Sequence, residues 1–386
     1  MRDEDADPGG MTAEQREEIQ RLQSIGYLSG SRPAPEEDTP VTMDPERVFD
    51  GYNFYTSGHL EGAILADMRG EILHRWECEF YDIWPDYEQP EFGVGTEAGE
   101  WNPWTNTGMW RRAHLCENGD VIGIYEGIGA VRLDRDSNVV WEYMGGCHHD
   151  LDVGPDGKVY VLTREALIDP RYNRRWPILI DYVSVLDEKG NEIERVSVLE
   201  AIERSRYSSF LADMKRRGDV LHTNTVEVLD GSLADRLPAF RAGNVMISVR
   251  KLDLIAVLDL DRREVVWAMS GLWSEQHDPS VLRSDRLLIF DNVGPRYEEE
   301  EMADASRVIE FDPVTHRVYW QYGGNGEEFY SHRCGAATRL PNGNTLITES
   351  DNGRAFEVTR EGDIVWEYRN PARAGARDEF VATLFE

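Results

Sequence analysis

From about residue 48 onward, apolar and polar residues alternate in short runs, and the runs are broken by Gly, Asn and Asp. Alternation with a period of two marks half-buried β-strands, and the small polar residues supply the turns between them. A run ending in tryptophan recurs after a turn at 72–76, 139–141, 265–267, 318–320 and 364–366, and a sixth run, 193–198, lacks the Trp. Six units about 45 to 75 residues apart predict a propeller in which each unit is one four-stranded blade. The third unit shows the internal order best. Its strands are expected at 149–153, 158–163, 182–186 and 192–198, with a Pro-Asp-Gly turn at 155–157 between the first two. The first unit has strands at 52–56, 63–68 and 72–76 but no preceding strand, and 380–385 at the far end of the chain is placed to supply it. That would close the ring and remove two exposed sheet edges.

The leading segment differs. Thr12 with Gln15 reads as a capping box, and Ile19, Leu22 and Ile25 follow at helical spacing, so a short helix is expected within 12–28. Residues 31–45 have the composition of a linker. The expected organisation is an acidic tail with a short helix over 1–45 and an all-β, six-bladed propeller of antiparallel four-stranded blades over 46–386. The repeated tryptophans are read as core residues packing between blades.

With 386 residues, 40% of them apolar, the chain is long enough for a large core. No apolar run approaches the roughly 20 residues needed to span a bilayer, and the first residues carry no signal-peptide pattern. The expectation is a soluble chain, with a signal or anchor before Met1 left open. The formal charge of −32, from 73 acidic against 41 basic residues, repels nucleic acid and anionic lipid. Only Lys158, Lys189, Lys215 and Lys251 are lysines. Such an acidic, Lys-poor composition fits a high-salt habitat or a GC-rich genome. Of the four cysteines, none forms a zinc-like spacing. A Cys147–Cys334 bridge is conceivable, and separate buried thiols are the alternative.

Three of the nine histidines share a repeat position: His149, His222 and His277 each precede a valine by four residues and open the first strand of their units. That strand lies nearest the propeller axis, so residues far apart in sequence converge. The second strand runs antiparallel to the first and ends at the same rim, which brings Arg164 and Arg250 to the histidines. His148, His332 and Arg111 are expected at the same level. Neutral imidazoles and guanidinium groups in an acidic protein make a local positive well suited to an oxyanion such as a sulfate or phosphate ester. Neighbouring arginines oppose a metal cation, and no phosphate-binding glycine loop is present, so neither a metal nor a nucleotide cofactor is expected. Asp150 and Asp278 either fix imidazole tautomers or are ordinary strand-face carboxylates. The acidic run 298–301 reads as a solvated loop.

The phrases Cys-His-His-Asp (147–150), His-Thr-Asn-Thr-Val (222–226) with Ile-Ser-Val-Arg (247–250), and Gln-His-Asp-Pro (276–279) resemble the bacterial aryl sulfotransferases that work without a nucleotide donor. Arg-Leu-Pro-Asn-Gly-Asn-Thr-Leu-Ile-Thr (339–348) and Arg-Ala-Phe-Glu-Val (354–358) extend the resemblance. It implies a six-bladed propeller that passes a sulfuryl group from an aryl sulfate to a phenol through a sulfohistidine, with ping-pong kinetics and a periplasmic or extracellular location. Carried onto this sequence, it implies His277 as nucleophile, with His149, His222 and Arg250 on the sulfuryl oxygens. His148, Arg164, His332 and Arg111 are the further substrate-binding candidates. Residues 231–243 widen the gap between His222 and Arg250, and a short tail stands where larger members carry an N-terminal domain. A non-catalytic binding or scaffold propeller and an aryl sulfate hydrolase are the alternatives. The sequence does not specify the oligomeric state.

Overall fold

The repeating strand pattern becomes six antiparallel sheets arranged as blades around one axis. The computed structural model describes residues 11–26, 29–34, 41–88, 107–294, 305–324, 329–375 and 377–385. Blade 1 contains Tyr52–Ser57, Gly62–Asp67 and Ile72–Glu77, and its innermost strand is Leu384–Phe385, which pairs Phe385 with Thr56 and Leu384 with Ser57. The last strand of the chain therefore completes the first blade.

Blades 2 to 6 each take four consecutive strands, running outward from the axis. Blade 2 is Arg112–Leu115, Val121–Tyr125, Gly129–Leu133 and Val139–Tyr143; blade 3 is Cys147–Val153, Val159–Leu167, Ile178–Leu186 and Glu192–Ser197. Blade 4 is Thr223–Val228, Val245–Val249, Leu254–Asp259 and Glu264–Met269; blade 5 is His277–Leu282, Arg286–Asp291, Arg307–Phe311 and Val318–Gly323. Blade 6 is Ala336–Arg339, Thr345–Glu349, Arg354–Val358 and Ile364–Arg369.

The tryptophans of the outermost strands join blade to blade. Trp76 and Trp366 are buried, and their indole N–H groups donate to Gly119 O (3.1 Å) in blade 2 and Met68 O (2.8 Å) in blade 1. Trp320 does the same to Arg360 O at 2.9 Å. Each indole places its apolar rings in an inter-blade core while its one polar atom is satisfied.

Two segments depart from the sequence reading. Val41–Met43, inside the expected linker, pairs antiparallel with Ile364–Arg369 as a fifth, outer strand of blade 6. A β-branched pair of residues beside an open sheet edge outweighs the linker-like composition around it. The helix spans Ala13–Gln23 with the Thr12–Gln15 capping box formed, and Leu22 is buried against Ala166 and Leu179 of blade 3. Residues 27 and 28 of the expected helical patch, and the acidic run at 298–301, lie outside the described residues. None of the four cysteines is in a disulfide. Cys147 packs among Ile122, Ile124 and Val161, whereas Cys334 sits with Met109 and Phe385, so the two thiols belong to different inter-blade cores.

Candidate functional site

The residue that follows the second strand, or sits near its end, reaches the channel rim in every blade but the first: Glu126, Arg164, Arg250, Asn292 and Ser350. The start of the innermost strand contributes Arg111, His148, His149, His222 and His277 to the same level, and all five are buried. His149 and His222 hold φ of +58° and +53°, a left-handed backbone uncommon for residues other than glycine. His149 lies in a bulge where the first two strands of blade 3 shift register, and His222 stands just before the first strand of blade 4, whose register shifts between Thr223 and Thr225. Such local strain concentrates at sites where a side chain must be re-aimed.

Three of the candidates meet closely. His149 Nε2 lies 3.0 Å from His222 Nε2, and His149 Nδ1 lies 2.7 Å from His148 Nδ1. His222 Nδ1 is 2.5 Å from Asp219 Oδ2. His277 and His149 line one small cavity of about 30 Å³ together with Arg111, Asn224, Thr225 and Ser350. Arg250 stands beside His277 and pairs with Glu275 (Nη2 to Oε2, 2.5 Å).

His277 is held in one tautomer. Its Nδ1 is 2.7 Å from Asn292 Oδ1 and 3.1 Å from Glu275 O, two acceptors, so Nδ1 carries the proton. The amide orientation is itself fixed, because Asn292 Nδ2 donates to Ser331 O (2.8 Å) and Cys334 O (2.6 Å). In the neutral ring Nε2 is then left with its lone pair. Burial keeps His277 well below the usual histidine range, with the Arg250 charge acting in the same direction. Burial likewise lowers His148 and His149, helped by Arg164 for the first and by His222 for the second.

The other candidates take different places. Arg111 lines the cavity, stacks over the Phe385 ring at 4.3 Å and donates to Cys334 Sγ at 3.5 Å. Arg164 lies behind the imidazoles: its Nη1 is 3.1 Å from Glu126 Oε1, and its Nη2 donates to Gln23 O (3.3 Å) and Ile25 O at the end of the N-terminal helix. A Cβ on Gly127 would lie 2.3 Å from that Nη2, at a φ of +72°, so glycine is required for the guanidinium to pass. His332 is exposed and bonded to Tyr330 OH at 2.9 Å, away from the cavity. Asp150 and Asp278 neither fix an imidazole nor point away. They accept the backbone N–H groups of Val226 (2.9 Å) and Ala337 (3.0 Å) in the next blade, and Asp150 also pairs with Arg112 at 3.0 Å.

Sequence reasoning missed Glu126, Asn224, Asn292 and Asp219. Glu126 and Asn292 occupy the same strand-end position as Arg250, so counting every polar residue there, rather than arginines alone, would have found both. Glu126 is fully buried and accepts the N–H of His149 at 2.9 Å; burial raises its pKa against the opposing Arg164 charge. Glu126, His148 and His149 offer donor atoms within 4.8 Å of one another. They fit a metal poorly, since Arg164 already holds the carboxylate and the two imidazoles bond to each other.

The arylsulfotransferase (ASST) family model matches residues 113–371, more than half of the chain. No curated protein matches. Among solved structures, a protein of unknown function from Bacteroides caccae is 12% identical, with 86% of this chain and 98% of that chain covered at a TM-score of 0.52. A virginiamycin B lyase from Staphylococcus aureus is 10% identical, with 67% and 69% covered at a TM-score of 0.40. At 12% identity the likeness to the Bacteroides caccae protein is one of fold alone. With a matched segment that includes the three histidine phrases and Arg250, the chain belongs to the arylsulfotransferase family.

Proposed function

We propose that this protein moves a sulfuryl group from an aryl sulfate ester to a phenolic acceptor, with His277 as the group carrier. The observation that carries this reading is the clamp of Asn292 and Glu275 on His277 Nδ1, which leaves Nε2 as a neutral, buried nucleophile at a cavity. In the first half-reaction Nε2 attacks sulfur as the aryl oxygen departs. In the second, a phenol oxygen attacks sulfur and the imidazole departs. In this reading Arg111 and Asn224, which line the cavity, and Arg250 beside His277 stabilise negative charge on the sulfuryl oxygens during both steps. The sulfurylated ring becomes positively charged, and the two oxygens on Nδ1–H favour that state.

Mixing the folded protein with 4-nitrophenyl sulfate should release a burst of nitrophenolate equal to the protein present and leave one sulfuryl group on His277. Adding phenol should then discharge the label as phenyl sulfate. Absence of both burst and label overturns the reading.

A further inference from the structure

The reaction has an unmet need, which is a proton for the departing aryl oxide. His277 cannot give one, because its only proton is bound to Asn292 and Glu275 while its other nitrogen takes the sulfur. Arginine does not release protons in proteins. His149 is the other imidazole lining the cavity.

The tautomers of the buried histidines follow one from another. His222 Nδ1 faces the Asp219 carboxylate at 2.5 Å and must donate, so its Nε2 accepts. His149 Nε2, 3.0 Å away, therefore carries a proton, and in the neutral ring its Nδ1 accepts. His148 Nδ1, at 2.7 Å, donates to it. That leaves His148 Nε2 as a lone pair, buried without a hydrogen-bond partner among the described residues and 3.8 Å from Asp181 Oδ1. Asp181 Oδ2 accepts the Thr223 N–H at 2.7 Å. Asp219, His222, His149 and His148 thus form one line with a single consistent direction of hydrogen bonds, and Asp181 stands 3.8 Å beyond its end.

Resting on the transfer reading above, we propose that Asp181, His148 and His149 are a proton line that protonates the leaving aryl oxide and recovers the proton from the acceptor phenol. Substrate oxygen replaces His222 Nε2 as the acceptor of the His149 Nε2 proton. As the sulfur–oxygen bond breaks and the His277 Nε2–sulfur bond forms, the aryl oxygen keeps the electron pair and takes that proton. His149 Nδ1 takes the His148 Nδ1 proton, and His148 Nε2 takes the proton of Asp181, which ends as a carboxylate. When the phenol oxygen attacks sulfur and the nitrogen–sulfur bond breaks, the phenol proton enters His149 Nε2 and the line resets, so no proton is gained or lost overall. The 3.8 Å gap closes with a shift of roughly 1 Å or one water. Burial and the nearby Asp219 charge raise the pKa of Asp181, which agrees with a stored proton there. His148 and Asp181 act through His149 and are positioning residues.

Asp181→Asn keeps an oxygen for the Thr223 N–H but cannot pass a proton. The test is sulfohistidine formation in single turnover from two donors, phenyl sulfate with its basic leaving group and 4-nitrophenyl sulfate with its weakly basic one. The variant should be about 100-fold slower with phenyl sulfate and within about threefold of wild type with the nitrophenyl ester, the difference being the general-acid contribution. Equal losses with both donors overturn the line while leaving the transfer reading intact. The wild type alone gives a second readout, independent of whether the variant folds: with phenyl sulfate, the rate against deuterium content of the solvent should curve, because several protons move together. A straight line or no isotope effect overturns the line. A wild type that forms no sulfohistidine from either donor overturns the transfer reading and the line together.

Discussion

The same innermost strands build two chemically opposite stretches of channel. At one end stand four buried imidazoles with Arg111, Arg164 and Arg250; further along, Asp152 and Glu227 line a wider chamber of about 370 Å³, and Asp150 and Asp278 border both this chamber and the small histidine cavity. At the acidic end the carboxylates bind the next blade. Asp150 accepts Val226 N–H (2.9 Å), Asp152 accepts Val228 N–H (2.8 Å), Glu227 accepts Val281 N–H (3.2 Å) and Asp278 accepts Ala337 N–H (3.0 Å). Each innermost strand is a sheet edge with unpaired N–H groups, and a carboxylate from the preceding blade satisfies them without closing the channel. At the histidine end the polar groups instead bond mainly to one another. Their arrangement goes beyond what strand pairing requires, which is why the chemistry is assigned there.

The sharpest test of that division is one substitution at each end. His277→Ala should reduce sulfuryl transfer about a thousandfold or more, as removal of a covalent nucleophile does. Glu227→Gln keeps an oxygen for Val281 N–H and should leave transfer within about twofold, since nothing at the acidic end is asked to meet the ester. Initial rates with 4-nitrophenyl sulfate and phenol measure both. A Glu227→Gln loss comparable to that of His277→Ala would erase the distinction between the two ends.

The buried carboxylates and the buried imidazoles titrate with opposite signs. Burial pushes Glu227 up to about 8 and raises Asp150, Asp152 and Asp278 as well. An acid whose folded pKa exceeds its unfolded value contributes stability below the unfolded pKa and loses it as pH rises through the folded one. The neutral buried histidines, held well below about 6.5, contribute stability above that pH and lose it as pH falls. Between about pH 6.5 and about pH 8 the buried carboxylates lose their protons, Glu227 in the acidic chamber and Asp181 beside His148, so stability should fall across that window, by a few kcal/mol. Urea denaturation in Glu227→Gln should show a shallower fall there. His148→Gln should leave that slope alone and alter the slope below about pH 6.5. A wild-type stability that is flat over the upper window contradicts the burial argument for Glu227.

How far the sequence reached follows the same line. The blades were legible because Trp76, Trp141, Trp320 and Trp366 recur at one structural position, where packing between blades demands a large flat side chain. The rim was read through strand direction, and in the structure Arg250 stands near enough to His277 to act on it electrostatically. What strand direction could not give was partnership. Arg164 reaches the right level but is bound to Glu126 and to the helix end, and His332 is exposed and bonded to Tyr330; both outcomes depend on loop geometry. The direct bonds among His148, His149 and His222 were also beyond reach. They require left-handed backbone at His149 and His222, and neither residue type signals that conformation by itself.

The smallest predicted effect concerns what covers the histidine end. The helix Ala13–Gln23 lies against blade 3, and the carbonyls of Gln23 and Ile25 at its end receive Arg164, whose other nitrogen holds the Glu126 that accepts the His149 N–H. No comparable chain of contacts links the helix to the acidic chamber among the described residues. Thr12→Ala removes both bonds of the capping box, Gln15 N–H to Thr12 Oγ1 (3.2 Å) and Thr12 N–H to Gln15 Oε1 (2.9 Å), since the second depends on the first for its geometry. The helix should lose about 1 kcal/mol. Amide exchange should speed up about fivefold in the helix, with a smaller rise at Arg164 and His149 and none at Val226, Val228 or Val281. Because Leu22 still anchors the helix against Ala166 and Leu179, overall stability should barely move. Equal acceleration at both ends of the channel would mean that the helix supports the whole ring rather than the histidine end alone.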